Sequence, residues 1–306
     1  MQMSLRRALD QHRLGRGRDR RVGAGNGSRA ARVVRVAVSL PRRALAPARP
    51  QTGARYWEID LARTVAIAMM VAYHTIYDVD LLVPGAGPDP FRGFWGAVPE
   101  ATGSLFLLVA GVSLAVSDER LRARGKSGLD RMRRHARHAL IVLTAALAVT
   151  IATRVVFDER YVRFGILHAI GIAILIAAVT VRFGRWNLLL GLAAVLGGLA
   201  IMRVQTQSVW LGIVGMDSEG FSSVDHWPLL PWLGPMLIGV AVGAALYPTG
   251  TRGPAVRALS RMRGPRRALT APGRRSLTVY LAHQLVLIPI VWVVLAAAGQ
   301  DLPWPL

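Results

Sequence analysis

The feature that most constrains this chain is a series of apolar segments, each roughly 17 to 25 residues long, with few or no charged side chains. A helix of that length crosses the ~30 Å hydrocarbon core of a bilayer, because each residue adds about 1.5 Å. The sequence therefore predicts an all-α, polytopic membrane helix bundle with about seven transmembrane helices. The predicted helices lie near residues 61–83, 94–117, 139–157, 164–181, 187–202, 229–247 and 277–298.

Basic residues are distributed unevenly between the two sides of this predicted bundle. The chain carries 38 Lys and Arg against 17 Asp and Glu, a formal net charge of +21. Of these 38, 32 lie before the first apolar segment or in alternate connections, which are 1–55, 118–138, 182–186 and 248–276. Short loops rich in Lys and Arg stay in the cytoplasm. The pattern predicts a cytoplasmic N-terminus, an outer C-terminus and a multi-pass protein of the cell (plasma) membrane.

A high positive charge is also typical of proteins that bind nucleic acids. Here the arginines flank the apolar segments, where membrane topology requires them, so the predicted partner is the lipid bilayer and no nucleic acid. Residues 1–54 have many arginines and no sustained apolar run, which predicts a disordered basic cytoplasmic tail. Residues 55–298 form the predicted transmembrane domain, and residues 299–306 a short outer tail.

The residue types that are missing limit the chemistry of the chain. It contains no cysteine, which excludes disulfides, thiolate metal ligands and a cysteine nucleophile. No predicted span contains a His-x-x-x-His or Glu-x-x-His pair that would place two metal ligands on one helix face. The sequence therefore predicts neither a metal site nor a permanently bound cofactor.

Polar side chains form a stripe along the first predicted helix. Charged groups and imidazoles are costly in lipid and usually face the interior of a bundle, where they mark functional paths. Arg63 and His74 are eleven residues apart, about 20° from a whole number of turns and ~16 Å along the axis. Asp60 and Asp78 extend the same face. We expect this stripe to be functional, although Arg63 would also suit a snorkelling position at the inner interface.

Other histidines lie outside this first helix. His168 is about one turn inside the outer end of the fourth predicted helix. His283, followed by Gln284, is in the inner half of the last one. Each either lines a polar cavity or is a hydrogen-bonded core histidine, and the sequence leaves both alternatives open. His135 and His138 follow an arginine-rich run and are predicted to lie on the cytoplasmic surface.

Five segments together resemble a known family. In chain order they read EIDLARTVAIAMMVAYHTIYD, LFLLVAGVSLAVS, RFGILHAIGIAIL, PLLPWLGPMLIGVAVG and GRRSLTVYLAHQ. They are similar to a bacterial and archaeal family of membrane proteins related to the catalytic domain of heparan-α-glucosaminide N-acetyltransferase. The resemblance spans residues 55 to about 295, which is nearly all of the chain except the basic tail.

The resemblance implies a membrane acyltransferase. Such an enzyme takes an acyl group from cytoplasmic acyl-CoA, in the first place acetyl-CoA, as its co-substrate. It transfers the group to a glycan or another envelope acceptor on or across the membrane. The wider group of membrane acyltransferases has an Arg, ten residues and a His on the first helix, which Arg63 and His74 reproduce. By this resemblance His74 is the catalytic base or acyl carrier. Together with the polar positions inside the predicted spans, it gives the expected substrate-binding residues, which are Arg63, Asp60, Asp78, His168, His283 and Gln284.

The sequence also departs from the family pattern. Thr64 follows Arg63 where members commonly have Gly. The catalytic histidine of the eukaryotic enzymes lies in the first outer loop, but residues 78–93 of this chain contain no histidine. The alternative interpretation is a non-enzymatic permease or an acyltransferase-like scaffold, because the stripe on the first helix would also suit a proton path. The sequence leaves open whether the protein is a monomer or a homo-oligomer.

Overall fold

The computed structural model describes residues 55–218, 223–260 and 267–300, together with Leu302. The predicted basic tail lies outside these described residues, and so does most of the predicted outer tail. Ala54–Leu306 form one compact unit.

Helices dominate the part of the chain that the structure describes. Its two strands are only two residues long each, β1 (Gln205–Thr206) and β2 (Asp217–Ser218), and they pair in parallel. The all-α prediction is therefore confirmed. The ten α-helices within the described ranges are α1 (Trp57–Leu82), α2 (Gly93–Ala123), α3 (Gly128–Phe157), α4 (Ile166–Thr180), α5 (Asn187–Ile201), α6 (Val209–Val214), α7 (Leu229–Leu246), α8 (Pro254–Ser260), α9 (Arg267–Arg274) and α10 (Ser276–Ala297).

Six helical segments of the described chain are long and apolar enough to cross a membrane, judged by length and composition. The fourth of them, Ile166–Ile201, has 36 residues, which is far more than one crossing needs. It divides at Gly184, whose φ of 53° and ψ of −124° are not helical. The backbone there links α4 to α5 through a short 3₁₀ segment, Val181–Trp186. This break corresponds to the boundary predicted between the fourth and fifth spans.

Close backbone contacts between α2 and α7 form the centre of the bundle. A Cβ atom at Gly239 would lie 2.1 Å from the carbonyl oxygen of Leu108, and one at Gly243 would lie 3.0 Å from the Cα of Val112. Small residues at these positions let two helix backbones approach closely, which is how membrane helices gain packing energy in lipid. Because both residue numbers increase together, α2 and α7 run in the same direction.

The helix α5 packs against α7 in the opposite direction. A Cβ at Gly191 would lie 2.8 Å from Cγ1 of Ile238, and one at Gly198 would lie 2.6 Å from Cα of Pro231. As the residue numbers of α5 increase, those of α7 decrease. The fifth predicted span, which is short and rich in glycine, is therefore a helix that packs against the centre of the bundle.

The helix α4 runs antiparallel to α3. Gly171 packs on Leu143, and the ring of His168 lies beside Thr150 one turn further along. The chain also reverses between α2 and α3, at a turn in which Gly125 has a φ of 70°. It follows that α4 is parallel to α2 and α7, whereas α5 is antiparallel to them. The opposite directions of α4 and α5 are those expected if the two halves of Ile166–Ile201, one of the six candidate spans of the described chain, cross the bundle separately.

The outer faces of α3 and α10 carry large apolar side chains that are not covered by protein. They face the surroundings, as expected for helices whose solvent on that side is hydrocarbon. This supports a membrane environment independently of helix length. Exposed examples are Leu140, Leu147, Ile151 and Val155 on α3, and Leu285, Val286, Ile290 and Val293 on α10.

Candidate active site

The structure divides the polar stripe of α1 into two clusters. The first surrounds Asp60, whose carboxylate is buried near the start of the helix. Its Oδ1 lies 3.4 Å from Nη1 of Arg63, and its Oδ2 lies 3.4 Å from Nε of Arg274. Nη2 of Arg63 also donates a hydrogen bond to Oγ of Ser113 on α2, at 2.6 Å. In this set, called the Asp60 cluster below, one buried carboxylate holds two guanidinium groups at one end of the bundle.

Close packing of α9 on the first turns of α1 explains why Arg274 reaches this carboxylate. A Cβ atom on Gly273 would lie 1.9 Å from the carbonyl oxygen of Asp60, so no larger residue fits there. The Gly273 N–H donates to Oγ1 of Thr64 at 3.0 Å, and the Thr64 hydroxyl donates to the Asp60 carbonyl oxygen at 3.1 Å. Thr64, which departs from the family pattern, thus fastens α9 to α1.

The second cluster joins the middle of α1 to α10 and contains His74, Asp78, His283 and Gln284; it is called the His74 cluster below. The ring centroids of His74 and His283 are 4.8 Å apart, with their planes tilted by 56°. Nε2 of Gln284 donates to Oδ1 of Asp78 at 3.1 Å, and Asp78 is fully buried. Residues more than 200 positions apart in the sequence thereby form one polar group inside the bundle.

Several atoms of the His74 cluster are buried and have no hydrogen-bond partner among the described residues. Unsatisfied buried polar atoms are rare in proteins, and a group of them marks a place where a ligand can supply the missing bonds. Two of the four atoms are carbonyl or carboxylate oxygens, which only accept hydrogen bonds. The atoms are Nδ1 of His74, Oδ2 of Asp78, Nε2 of His283 and Oε1 of Gln284.

The two clusters lie at different depths of the same helix. Arg63 and His74 are separated by eleven residues, so their Cα atoms differ by ~16 Å along the axis of α1. The Asp60 cluster offers guanidinium groups, and the His74 cluster offers imidazole and carboxylate groups. The arrangement suits a long substrate with an anionic end and a reactive group at its other end.

His168 forms its hydrogen bonds with residues outside both clusters. Its Nδ1 accepts a hydrogen bond from the backbone N–H of Gly165 at 3.2 Å, and its Nε2 lies 3.5 Å from Oγ1 of Thr150. Both ring nitrogens therefore have partners. Tyr280 connects this region to the His74 cluster, because it lines a narrow space together with His168 and its ring centroid is 5.5 Å from that of His283.

Asp225 also lines this narrow space. Its Oδ2 accepts the backbone N–H of Ile166, the first residue of α4, at 3.1 Å. A carboxylate is favourable at the positive N-terminal end of a helix. Burial nevertheless raises the pKa of Asp225 to about 6, against the lowering effect of the hydrogen bonds from Ile166 and Trp227. Asp225 therefore titrates close to physiological pH.

The structure corrects the prediction for His135. That histidine was expected on the cytoplasmic surface, but it is buried on α3, and its Nε2 lies 3.2 Å from Oδ1 of Asp118. Arg131 binds the other oxygen of the same carboxylate. The prediction is wrong because the turn at Gly125 folds the start of α3 back onto the end of α2. His138, one turn further along, is exposed as predicted.

An ion pair near the Asp60 cluster fixes the start of α1. Arg252 binds Glu58 through two nitrogens, and the hydroxyl of Tyr247 donates to Glu58 Oε1 at 3.1 Å. The hydrogen bond to Glu58 raises the pKa of Arg252. Burial, together with the negative charge of Glu58, raises the pKa of the Tyr247 hydroxyl well above its usual range. Both side chains thus keep their protons at neutral pH.

Sequence reasoning did not single out Ser113, Arg274 or Tyr280. Ser113 is an ordinary residue in an apolar helix, and Arg274 is one of many arginines in its segment. Only the packing of α9 and α2 against α1 distinguishes Ser113 and Arg274.

In the part of the chain that the structure describes, no group of three or more His, Cys, Asp or Glu residues lies close enough to hold a metal ion.

The fold and the two clusters define a polytopic membrane protein with a polar site inside its helix bundle. A family model described as heparan-alpha-glucosaminide N-acetyltransferase, catalytic, matches residues 55–285, which is most of the chain. The chain therefore belongs to this family of membrane acetyltransferases, and the resemblance drawn from the five sequence segments is confirmed. Comparisons with curated proteins and with solved structures gave no match.

Proposed function

We propose that the protein transfers an acyl group, in the first place acetyl, from cytoplasmic acyl-CoA to a glycan or other acceptor on or across the membrane. The observation that carries this proposal is the pair of imidazoles in the His74 cluster. His74 and His283 face each other at 4.8 Å inside the segment that matches the family model, and each has a buried nitrogen without a partner. Imidazole is a common general base for acyl transfer to an amine or hydroxyl.

The Asp60 cluster supports a binding role for the nucleotide part of acyl-CoA. Arg63 and Arg274 both contact Asp60, so their guanidinium groups are positioned close to each other at one carboxylate. Guanidinium groups bind phosphate through paired hydrogen bonds, which an ammonium group cannot reproduce. The surrounding loops are strongly basic and would attract an anionic substrate to this end.

The reaction at His74 follows one of two routes. In direct transfer, the imidazole takes the proton of the acceptor N–H or O–H while the acceptor atom bonds to the thioester carbon. The C–S bond then breaks, and the proton passes to the CoA thiolate. In the other route a neutral imidazole nitrogen of His74 bonds to the thioester carbon and the C–S bond breaks, which releases CoA thiolate; the acceptor atom then bonds to the acyl carbon as the acyl–nitrogen bond breaks, and the acceptor's proton passes to the thiolate. A protein thioester is excluded in both, because the chain has no cysteine.

Asp78 and Gln284 suit the acceptor. Each has a buried oxygen without a partner, and these oxygens accept hydrogen bonds. An acceptor that presents hydroxyl or amine groups would satisfy them, whereas an anionic group would meet the Asp78 carboxylate. The acceptor therefore binds at the His74 cluster and acyl-CoA enters from the Asp60 cluster, with the acyl group reaching between them.

A non-enzymatic permease or scaffold is the second candidate, because Asp78 and the two imidazoles could also carry protons through the bundle. Binding of acetyl-CoA to purified protein in lipid nanodiscs distinguishes the two, since a proton-coupled permease has no reason to bind it. Saturable binding supports the acyltransferase, and its absence favours the second candidate.

The catalytic role of His74 is tested by His74→Asn, because an amide cannot act as a base near neutral pH. We expect transfer of radiolabelled acetyl from acetyl-CoA to an envelope glycan fraction to fall on the order of 10²- to 10⁴-fold, with acetyl-CoA affinity unchanged. The matched control is His226→Asn, since His226 is exposed in the outer loop. Transfer by His74→Asn at the parental rate would remove His74 from the mechanism.

A further inference from the structure

The two imidazoles of the His74 cluster have complementary requirements for a proton. Nδ1 of His74 and Nε2 of His283 are the buried ring nitrogens without partners, and the two rings are neighbours at 4.8 Å between centroids. A neutral imidazole has one nitrogen that donates and one that accepts. The pair is satisfied when one of these two nitrogens carries a proton and the other does not.

The backbone of α10 determines which ring nitrogen of His283 is unprotonated. Nδ1 of His283 is hydrogen bonded to the carbonyl oxygen of Tyr280, three residues earlier. A carbonyl oxygen only accepts, so Nδ1 must carry the proton. The same carbonyl has a second lone pair for the helical hydrogen bond from residue 284. In neutral His283, Nε2 is therefore left as a buried acceptor that faces α1.

We infer that Nδ1 of His74 donates to Nε2 of His283, so that the carbonyl of Tyr280 sets the tautomer of His74 through His283. The opposite tautomer of His74 would leave two buried acceptors facing each other, both unsatisfied. The rings are close enough for such a bond, with centroids 4.8 Å apart. Nε2 of His74 is then its unprotonated nitrogen.

The chain of hydrogen bonds from the Tyr280 carbonyl through His283 to His74, called the relay below, determines which nitrogen of His74 reacts with the substrate. That consequence rests on the proposed function. Nε2 of His74 is not among the buried unsatisfied atoms, so it is the nitrogen open to a substrate. It takes the proton of the acceptor as the acceptor atom bonds to the thioester carbon. After the C–S bond breaks, the same nitrogen returns that proton to the CoA thiolate. His283 is a positioning residue, which holds His74 in the productive tautomer.

Asp78 is the competing partner for His74. It lies four residues later on the same face of α1, and its Oδ2 is buried without a hydrogen bond. The neighbouring groups on the two helices are Tyr73 and Tyr77 on α1, and Gln284, which already occupies the other oxygen of Asp78. An experiment on the relay must therefore separate His283 from Asp78.

The test is nitrogen NMR of ¹⁵N-histidine-labelled protein in lipid nanodiscs, which reads the tautomer of each ring from its two nitrogen shifts. The signals of the chain's 7 histidines are assigned by single substitutions. We expect His74 and His283 both to carry their proton on Nδ1. His283→Leu should release His74 to the Nε2–H form that free imidazoles prefer, whereas Asp78→Asn should leave its tautomer unchanged.

His283→Gln is the conservative variant, because its amide oxygen still accepts a hydrogen bond from His74. We expect it to keep the tautomer of His74 and to transfer acetyl within a few-fold of the parent, while His283→Leu loses on the order of 10²-fold in kcat with acetyl-CoA affinity unchanged. The relay is overturned by an Nε2–H tautomer of His74 in the parent, or by a tautomer that follows Asp78→Asn instead of His283→Leu. The NMR result stands even if no acetyl transfer is found, so failure of the proposed function is distinguishable from failure of the relay.

Discussion

Glu58 and Arg252 are 194 residues apart in the sequence, yet Nε and Nη2 of the guanidinium contact the two carboxylate oxygens of Glu58 at 2.8 Å each. Both side chains are largely shielded from solvent. The pair connects the start of α1 to the segment between α7 and α8. It therefore holds the start of α1, the helix that carries Asp60 and Arg63, against the end of α7.

Removing this ion pair should destabilise the folded protein. Arg252→Ala leaves a mostly buried carboxylate without its charged partner, and we expect a loss of about 1.5–3 kcal/mol in the free energy of unfolding. Unfolding in mixed detergent and dodecyl sulfate measures it. The control is Arg257→Ala, an exposed position on α8, which should stay within about 0.5 kcal/mol of the parent. Equal stability of the two variants would mean that the pair contributes nothing.

The contact between α2 and α7 should tolerate no added methyl group. A Cβ at Gly111 would lie 2.1 Å from the carbonyl oxygen of Met236, so Gly111→Ala must push two backbones apart. We expect a destabilisation of about 1–3 kcal/mol in the same unfolding assay. Gly197→Ala is the matched control, because α5 has open space there. That change should stabilise by about 0.5–1 kcal/mol, since alanine favours helix more than glycine does.

Asp225 should make stability depend on pH. Burial raises its pKa from 3.8 to about 6, so the folded protein binds the proton more tightly than the unfolded chain. The stability that this proton brings is complete below about pH 4 and is lost as the pH rises through about 6. We expect the parent to lose stability relative to Asp225→Asn between about pH 5 and about pH 7.5, as measured by thermal unfolding in detergent.

The control for Asp225 is Asp217→Asn, because Asp217 is an exposed carboxylate in the same loop. Its stability relative to the parent should be the same at both ends of this pH range. If Asp225→Asn behaves like this control, Asp225 has an ordinary pKa in the folded protein.

Arg63 and Arg274 should both affect acetyl-CoA binding if the Asp60 cluster holds the nucleotide phosphates. Each alanine substitution removes one charge-assisted contact of about 1.5–3 kcal/mol, roughly ten- to a hundred-fold in Kd. Equilibrium binding of radiolabelled acetyl-CoA to the protein in nanodiscs measures this. Arg92→Ala, at the far end of α2, should bind like the parent. Unchanged affinity in Arg63→Ala would return Arg63 to a snorkelling role at the membrane interface.

The predicted orientation in the membrane can be checked by reporter fusions. Seven passages and the uneven distribution of basic residues predict that fusions after residues 90, 125, 215, 260 and 306 lie outside, inside, outside, inside and outside, respectively. The fusion after 215 is the most informative, because it reports on the break at Gly184 between α4 and α5. A cytoplasmic reporter there would mean that α4 and α5 do not cross separately.

The sequence by itself determined the architecture of this protein. Lipid offers no partners for backbone N–H and C=O groups, so long apolar segments must become helices, and their positions can be read directly. The break between the fourth and fifth spans was also visible, because Arg182 and Arg185 interrupt the apolar run. The stripe on α1 could be predicted because a single helix has a fixed period.

Only the tertiary structure decided which residues share a site. The periodicity of α1 cannot tell that His74 faces His283, that Asp60 holds Arg274, or that His135 is buried against Asp118. Each of these contacts joins different helices, and a helix period says nothing about the rotation or depth of its neighbour. Those were set by the close approach of small residues, such as Gly273 against Asp60. Helix formation is local and follows from composition, whereas the site depends on packing between helices, which no single segment encodes.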